Sequence, residues 1–200
     1  MAPEHQRLLR YPTMTIEEIL ELPVGRLAAS QSQLYLWVPN ALIAEGLSVM
    51  KRRGFTYKTN LVWYKIRKDG GPDGRGVGFY FRNVTELVLF GVRGDMRTLE
   101  PGRTQVNLIS SRKREHSRKP DELYDVIEAC SPGPYLELFA RHPRLGWKQW
   151  GNEEVEDLSG LPAPGSSETA KQLQPCFFER QGKAYSTRTI PNDKKIQWKK

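Results

Sequence analysis

The apolar residues of this chain come in short bursts whose period changes along its length. Thr15 followed by Glu18 is the pattern of a capping box, predicting a short helix through Leu22 that Pro23 stops. The run QLYLWV at 33–38 is apolar and aromatic, bounded by Pro39, and reads as a buried strand. From Asn40 onward, Leu42, Ile43, Leu47 and Met50 fall at helical spacing, with Lys51, Arg52 and Arg53 as a basic last turn and Gly54 as its stop. TNLVWYK at 59–65 is a second strand, so the helix before it predicts a right-handed parallel crossover. VTELVLFGV at 84–92 and QVNLIS at 105–110 read as further strands. Pro120 opens a helix with Leu123, Val126, Ile127 and Cys130 on one face, SPG at 131–133 ends it, and YLELFA at 135–140 is the next strand. The alternation predicts an α/β fold with a Rossmann-like sheet and one hairpin-like departure.

Two hundred residues, 38% of them hydrophobic, suffice for one packed α/β domain and exclude a large multidomain assembly. No apolar run approaches the ~18 residues of a membrane span, and MAPEHQRLLRYPTM lacks the apolar stretch of a secretory signal, so a soluble, cytoplasmic protein is expected. Cys130 and Cys176 are too few for a disulfide framework, and Cys130 is expected in the core. Charge changes the picture more. Of the net +8, residues 171–200 carry +6, and PAPGSSETA at 162–170 reads as a linker. The expected division is therefore a globular domain over 1–159 and a linker with a basic extension over 160–200, the latter either a solvated tail or a phosphate-binding arm.

Candidate chemistry is sparse on first reading. Gly74, Gly76 and Gly78 lie in a Gly-rich stretch at 67–82 that includes Phe79, Tyr80 and Phe81, which lacks the Lys-Ser/Thr of a P-loop and leaves a mobile surface loop or a nucleic-acid or substrate loop as alternatives. His5, His116 and His142 have no metal-ligand spacing, and no metal site is expected. The run SSRKREHSRKP at 110–120 is either a solvated basic loop or an anion site at the helix start that follows it. Glu137 interrupts an apolar strand. At the carboxyl end of a central strand it would lie where ribose hydroxyls are bound, whereas on an edge strand it would face water. Asn152, within GWKQWGNE at 146–153, can donate and accept at once, as an adenine edge or a hydroxyl requires.

Taken together, RYPTMTIEEI (10–19), LYLWVPN (34–40), LVWYK (61–65), GFYFRN through TELVLFGVRG (78–94), SRKPDELYDVIEACSPGPYLELFAR (117–141) and GWKQWGNE (146–153) resemble the MT-A type family of adenine methyltransferases. The resemblance implies methyl transfer from S-adenosylmethionine to the exocyclic 6-amino group of adenine in DNA or RNA. It also implies a circularly permuted methyltransferase fold, and nucleic acid as partner with homo- or hetero-dimers as in relatives. By the same resemblance Lys119 corresponds to the lysine holding the cofactor carboxylate, Glu137 to the acid near its ribose, and Arg141 to the basic residue at that strand's end. Asn152 and Glu153 correspond to the pair contacting the nucleoside, and Tyr11, Trp63 and Lys65 to positions lining the cleft on the substrate side. One departure stands out. The family's Asp-Pro-Pro-Trp, whose acid and Pro carbonyl accept from the target amine while the aromatic stacks on the flipped base, is absent from the sequence, so no catalytic residue is assigned. The expectation is a chain shortened at its N-terminus, its first strand missing. The alternative is a catalytically inactive relative that binds nucleic acid or a partner.

Overall fold

The structure, a computed structural model, describes residues 14–73, 80–114, 118–140 and 142–150. Helix α1 (Ile16–Glu21) begins in the expected capping box: the Glu18 amide donates to Thr15 Oγ1 at 3.2 Å and the Thr15 amide to Glu18 Oε2 at 2.7 Å. After Pro23 a single turn, α2 (Val24–Leu27), leads into β1 (Ser32–Val38). A 3₁₀ turn at Asn40–Leu42 and α3 (Ile43–Arg52) follow, then β2 (Thr56–Ile66) and β3 (Thr85–Arg93). The remainder is α4 (Glu100–Thr104), β4 (Leu108–Arg112), α5 (Glu122–Cys130), β5 (Tyr135–Leu138) and β6 (Trp147–Trp150).

Four strands form one mixed sheet in the order β1-β3-β2-β4. β3 is antiparallel to both β1 and β2, and β4 is parallel to β2, so β1, β2 and β4 all point the same way. The β1–α3–β2 crossover is parallel as predicted, although β3 lies between its two strands. β3 is buried on both faces, as a central strand should be, while β1 is half-covered along its length. Alternation along β1 divides two cores. Leu34, Leu36 and Val38 pack with Met50, Phe55 and Leu89 under α3, whereas Tyr35 and Trp37 pack with Trp63, Phe90, Leu123 and Ile127 under α5. The result is a sheet covered by helix on both faces, each large buried side chain contributing about 1.5–3 kcal/mol.

Two features go beyond what the pattern of the sequence shows. Helix α3 buries Gly46, Val49 and Met50, leaving Leu42, Ile43 and Leu47 about two-fifths exposed. The cause is space: a Cβ at Gly46 would meet Val38 Cγ2 at 2.6 Å, and one at Gly91 would meet Met50 Sδ at 2.7 Å. The helix therefore sits down on the two glycines, a face that hydrophobic spacing does not reveal. Second, of the two placements open for Glu137, the described residues show β5 as an edge strand. It pairs in parallel with β6 in a separate two-stranded sheet, because WKQW at 147–150 is a strand and not a loop, and among the described residues its other edge has no strand partner. Cys130 is buried, as expected.

Candidate active site

Because β1, β2 and β4 run together, their carboxyl ends at Val38, Ile66 and Arg112 reach one crest of the sheet, where β3 begins at Thr85. Open α/β sheets bind ligands at such a crest. Glu86, one residue into β3 and opposite Trp63, is the centre of a charged group there. Its Oε1 accepts from Lys65 Nζ at 2.5 Å and its Oε2 from Lys119 Nζ. Each ammonium also lies over an indole, Lys65 at 4.8 Å from the Trp63 ring and Lys119 at 4.9 Å from that of Trp37, and the two indoles meet edge to face at 5.9 Å. Burial pushes the Glu86 carboxyl upward, but the hydrogen bonds and charges of Lys119 and Lys65 outweigh it and hold the group below the usual carboxylate range. One carboxylate between two ammoniums leaves a net positive charge on an aromatic floor.

Of the residues expected to line the cleft, Trp63 is 3% exposed and donates its indole N–H to Ser111 Oγ at 2.9 Å. Lys65 is nearly as covered. The open members of the group are Lys119, its side chain 40% exposed, and Glu86, 25%. Lys119 precedes α5 but turns to Glu86. The start of α5 is instead occupied by Asp121, which accepts from Arg114 and, at 3.1 Å, from Arg118.

A second group is built around Tyr124 and Glu128 of α5. Glu137 accepts from the Tyr124 hydroxyl through both oxygens at 2.9 Å and, through Oε2, from Gln149 Nε2 at 2.6 Å. Gln149 is itself buried and fixed: Nε2 also donates to the His142 carbonyl at 2.9 Å, and Oε1 accepts from the Arg144 amide at 2.7 Å. Arg144 grips Glu128 with two bonds of 2.8 and 2.9 Å, and Trp147 Nε1 donates to the same carboxylate at 2.7 Å, so the base of the group is rigid. Burial, then the neighbouring Glu137 charge, raises the Tyr124 phenol and keeps it a donor. Just past β5, Phe139 has φ 64, a conformation that costs a non-glycine residue about 1–2 kcal/mol, with its ring against Trp150. Five residues separate Lys119 from Tyr124, so their Cα atoms lie at most about 17 Å apart.

The structure thus brings Trp63, Lys65 and Lys119 into one group and Glu137 into a second joined to it through α5. Tyr11, Arg141, Asn152 and Glu153 lie outside the described residues. Glu86, Trp37, Tyr124 and Gln149 were not anticipated. For Glu86 the signal was present: a carboxylate interrupting the apolar run VTELVLFGV, the same feature that drew attention to Glu137 in YLELFA.

A mixed sheet with charged and hydrogen-bonding groups on its carboxyl crest defines an α/β protein that presents polar groups where such sheets bind ligands. Comparison with known proteins makes that class specific. The MT-A70 family model matches residues 2–153, and the chain belongs to that family. It is 29% identical over 164 residues to the type II methyltransferase M.MunI of a Mycoplasma species, covering 81% of this chain and 67% of the relative. It is 30% identical over 149 residues to an N(6)-adenosine-methyltransferase MT-A70-like protein of Drosophila melanogaster and 29% identical over 149 residues to the human N(6)-adenosine-methyltransferase catalytic subunit METTL3. Those two matches cover 72% of this chain but only 24% and 25% of the relatives, so the chain spans about a quarter of their length.

Proposed function

We propose that this chain is an adenine methyltransferase of nucleic acid that takes its methyl group from S-adenosylmethionine, on a circularly permuted methyltransferase fold. The observation that carries the reading is the placement of Lys119 and Glu137, a cation and a carboxylate joined through one helix, in a member of the MT-A70 family. The donor set fits the cofactor: an ammonium open to solvent suits an amino-acid carboxylate, and Glu137 Oε1 keeps acceptor capacity beyond its Tyr124 bond for a ribose hydroxyl. When bound, S-adenosylmethionine supplies a methyl group on a positively charged sulfur. Lys119 would pair with its carboxylate, shared with or released from Glu86, and Tyr124 and Gln149 would hold Glu137 still while it accepts from the ribose. Arg141, Asn152 and Glu153 complete the proposed cofactor contacts, with Tyr11, Trp63 and Lys65 on the substrate side.

Catalysis needs an acceptor that polarises the target amine, and the sequence holds no Asp-Pro-Pro-Trp. The outer edge of β1 has no strand partner among the described residues and leaves room for a further strand there. The second reading is a relative that binds cofactor or nucleic acid without turnover.

Calorimetry of S-adenosylmethionine binding tests the first step. Lys119→Ala should weaken it about ten- to hundred-fold, the effect of about 1.5–3 kcal/mol for a charge-assisted hydrogen bond. No binding by the unaltered chain overturns the proposal. Transfer of labelled methyl to adenine then separates the readings. The proposed enzyme gains activity when an Asp-Pro-Pro-Trp strand is supplied upstream, and the binding-only relative does not.

A further inference from the structure

Two consecutive aromatic residues shortly before β3 are almost fully exposed. Tyr80 is 91% exposed and Phe81 86%, whereas every other described Phe, Tyr or Trp is less than half exposed. An aromatic side chain ordinarily buries 150–250 Å², so two consecutive rings left in water mark a contact surface.

Their position is fixed from the following residues. Asn40 Nδ2 donates to the Thr85 carbonyl and to Thr85 Oγ1, each at 3.2 Å, and the Lys65 amide donates to the Val84 carbonyl at 2.8 Å, pinning the entry to β3. Phe81 is four residues ahead of Thr85, at most about 14 Å along the chain. The opposite stem is pinned as well: the Asp73 amide donates to the Lys65 carbonyl at 2.8 Å, and Lys113 pairs with Asp73 at 2.9 Å. The rings are thus within chain reach of the Lys65–Glu86–Lys119 group.

Charge gives the surface its partner. Residues 65–73, 80–86, 112–114 and 118–122, which make up this part of the crest, hold nine Lys and Arg against five Asp and Glu. Exposed rings in a cationic field are how single-stranded nucleic acid is held: phosphates meet the cations, and unpaired bases stack on the rings whatever their identity.

We propose that Tyr80 and Phe81 form a stacking platform for unpaired bases of a nucleic-acid strand laid across the crest, beside the adenine to be modified. This rests on the nucleic-acid reading above and adds to it the segment that grips the strand. It accounts for the exposure of the pair and commits the surface to a strand rather than to a protein.

The test is fluorescence anisotropy of the full chain with labelled single-stranded DNA and RNA of about 15 nucleotides, a length within the usual footprint of stacking folds, titrated at several salt concentrations. Tyr80→Ala/Phe81→Ala should lower affinity roughly ten- to hundred-fold and leave the slope of log affinity against log salt unchanged, because no phosphate contact is lost. Phe81→Trp should keep wild-type affinity, and Lys68→Ala should instead flatten the slope. Both rings are exposed, so the melting temperature of the double variant should match wild type. Wild-type affinity in the double variant overturns this proposal alone; no binding by the unaltered chain overturns the nucleic-acid reading with it. Loss of self-association by sedimentation, with oligonucleotide binding intact, assigns the rings to a second copy of the chain and likewise overturns it.

Discussion

Glu86→Gln isolates what one carboxylate does between two ammoniums, because it keeps the shape and removes the charge. Lys65 then loses its countercharge while nearly buried, and Lys119 loses the partner that holds it over Trp37. Breaking a buried pair by removing one partner costs about 3–5 kcal/mol. Here a quarter of the Glu86 side chain is exposed and the amide can still meet one Lys poorly, so a loss of about 2 kcal/mol is expected. For a domain of this size that is roughly 4–8 °C in melting temperature. The effect should depend on pH in a definite direction. The Glu86 carboxyl is held below its ordinary range in the folded chain, so its stabilisation is complete above the unfolded value and is lost as pH falls through the folded one. The variant has no such group, and the difference in melting temperature between the two proteins should shrink on acidification. Scanning fluorimetry from neutral to acid pH reads both. Equal melting temperatures at neutral pH, or a gap that does not narrow on acidification, would refute the reasoning.

Tyr124→Phe removes the donor from both oxygens of Glu137 and should weaken S-adenosylmethionine binding about tenfold by calorimetry, with a smaller loss for an analogue lacking a ribose hydroxyl; a purely structural role would lower both equally. Gly46→Ala forces a methyl to within 2.6 Å of Val38 and should cost about 1–3 kcal/mol in urea unfolding, in contrast to the gain an alanine ordinarily gives inside a helix. Trp63→Phe deletes the indole bond to Ser111 and some buried volume, for an expected loss of about 1–2 kcal/mol with the urea dependence of unfolding unchanged.

Local signals located the elements well. The Thr15–Glu18 capping box, the strand at 33–38 and the helix ending at Cys130 carry their own punctuation in cap residues, prolines and glycines, so the sequence is enough to find them. What stayed hidden was detail set by particular packing neighbours. The face of α3 is chosen by Val38 in the strand before it and by Gly91, some 40 positions further on, and the pairing of β5 by the short strand at 147–150. The site divides along the same line. Glu137 was legible as a charge in an apolar strand, and Glu86 carried the same mark in VTELVLFGV. Nothing in the spacing of Lys65 and Lys119, 54 positions apart, could show that one carboxylate serves both. Tyr124 was equally hidden, because its hydroxyl finds Glu137 only after the helix and β5 have packed.

The strand order β1-β3-β2-β4 also sets the order in which the sheet can assemble. β2 and β3 are consecutive, but β1 must wait for β3, whose residues pair with it from some 50 to 60 positions away, as Ser32 with Arg93 and Val38 with Leu87. Closing the longer loop first would cost more chain entropy without any local reward. The β2–β3 ribbon is therefore expected to nucleate the fold, and β1 to dock late. A conservative truncation in β1, such as Leu36→Ala, should then speed unfolding and leave the refolding rate almost unchanged, while Leu61→Ala in β2 should slow refolding, a contrast that stopped-flow chevrons would resolve.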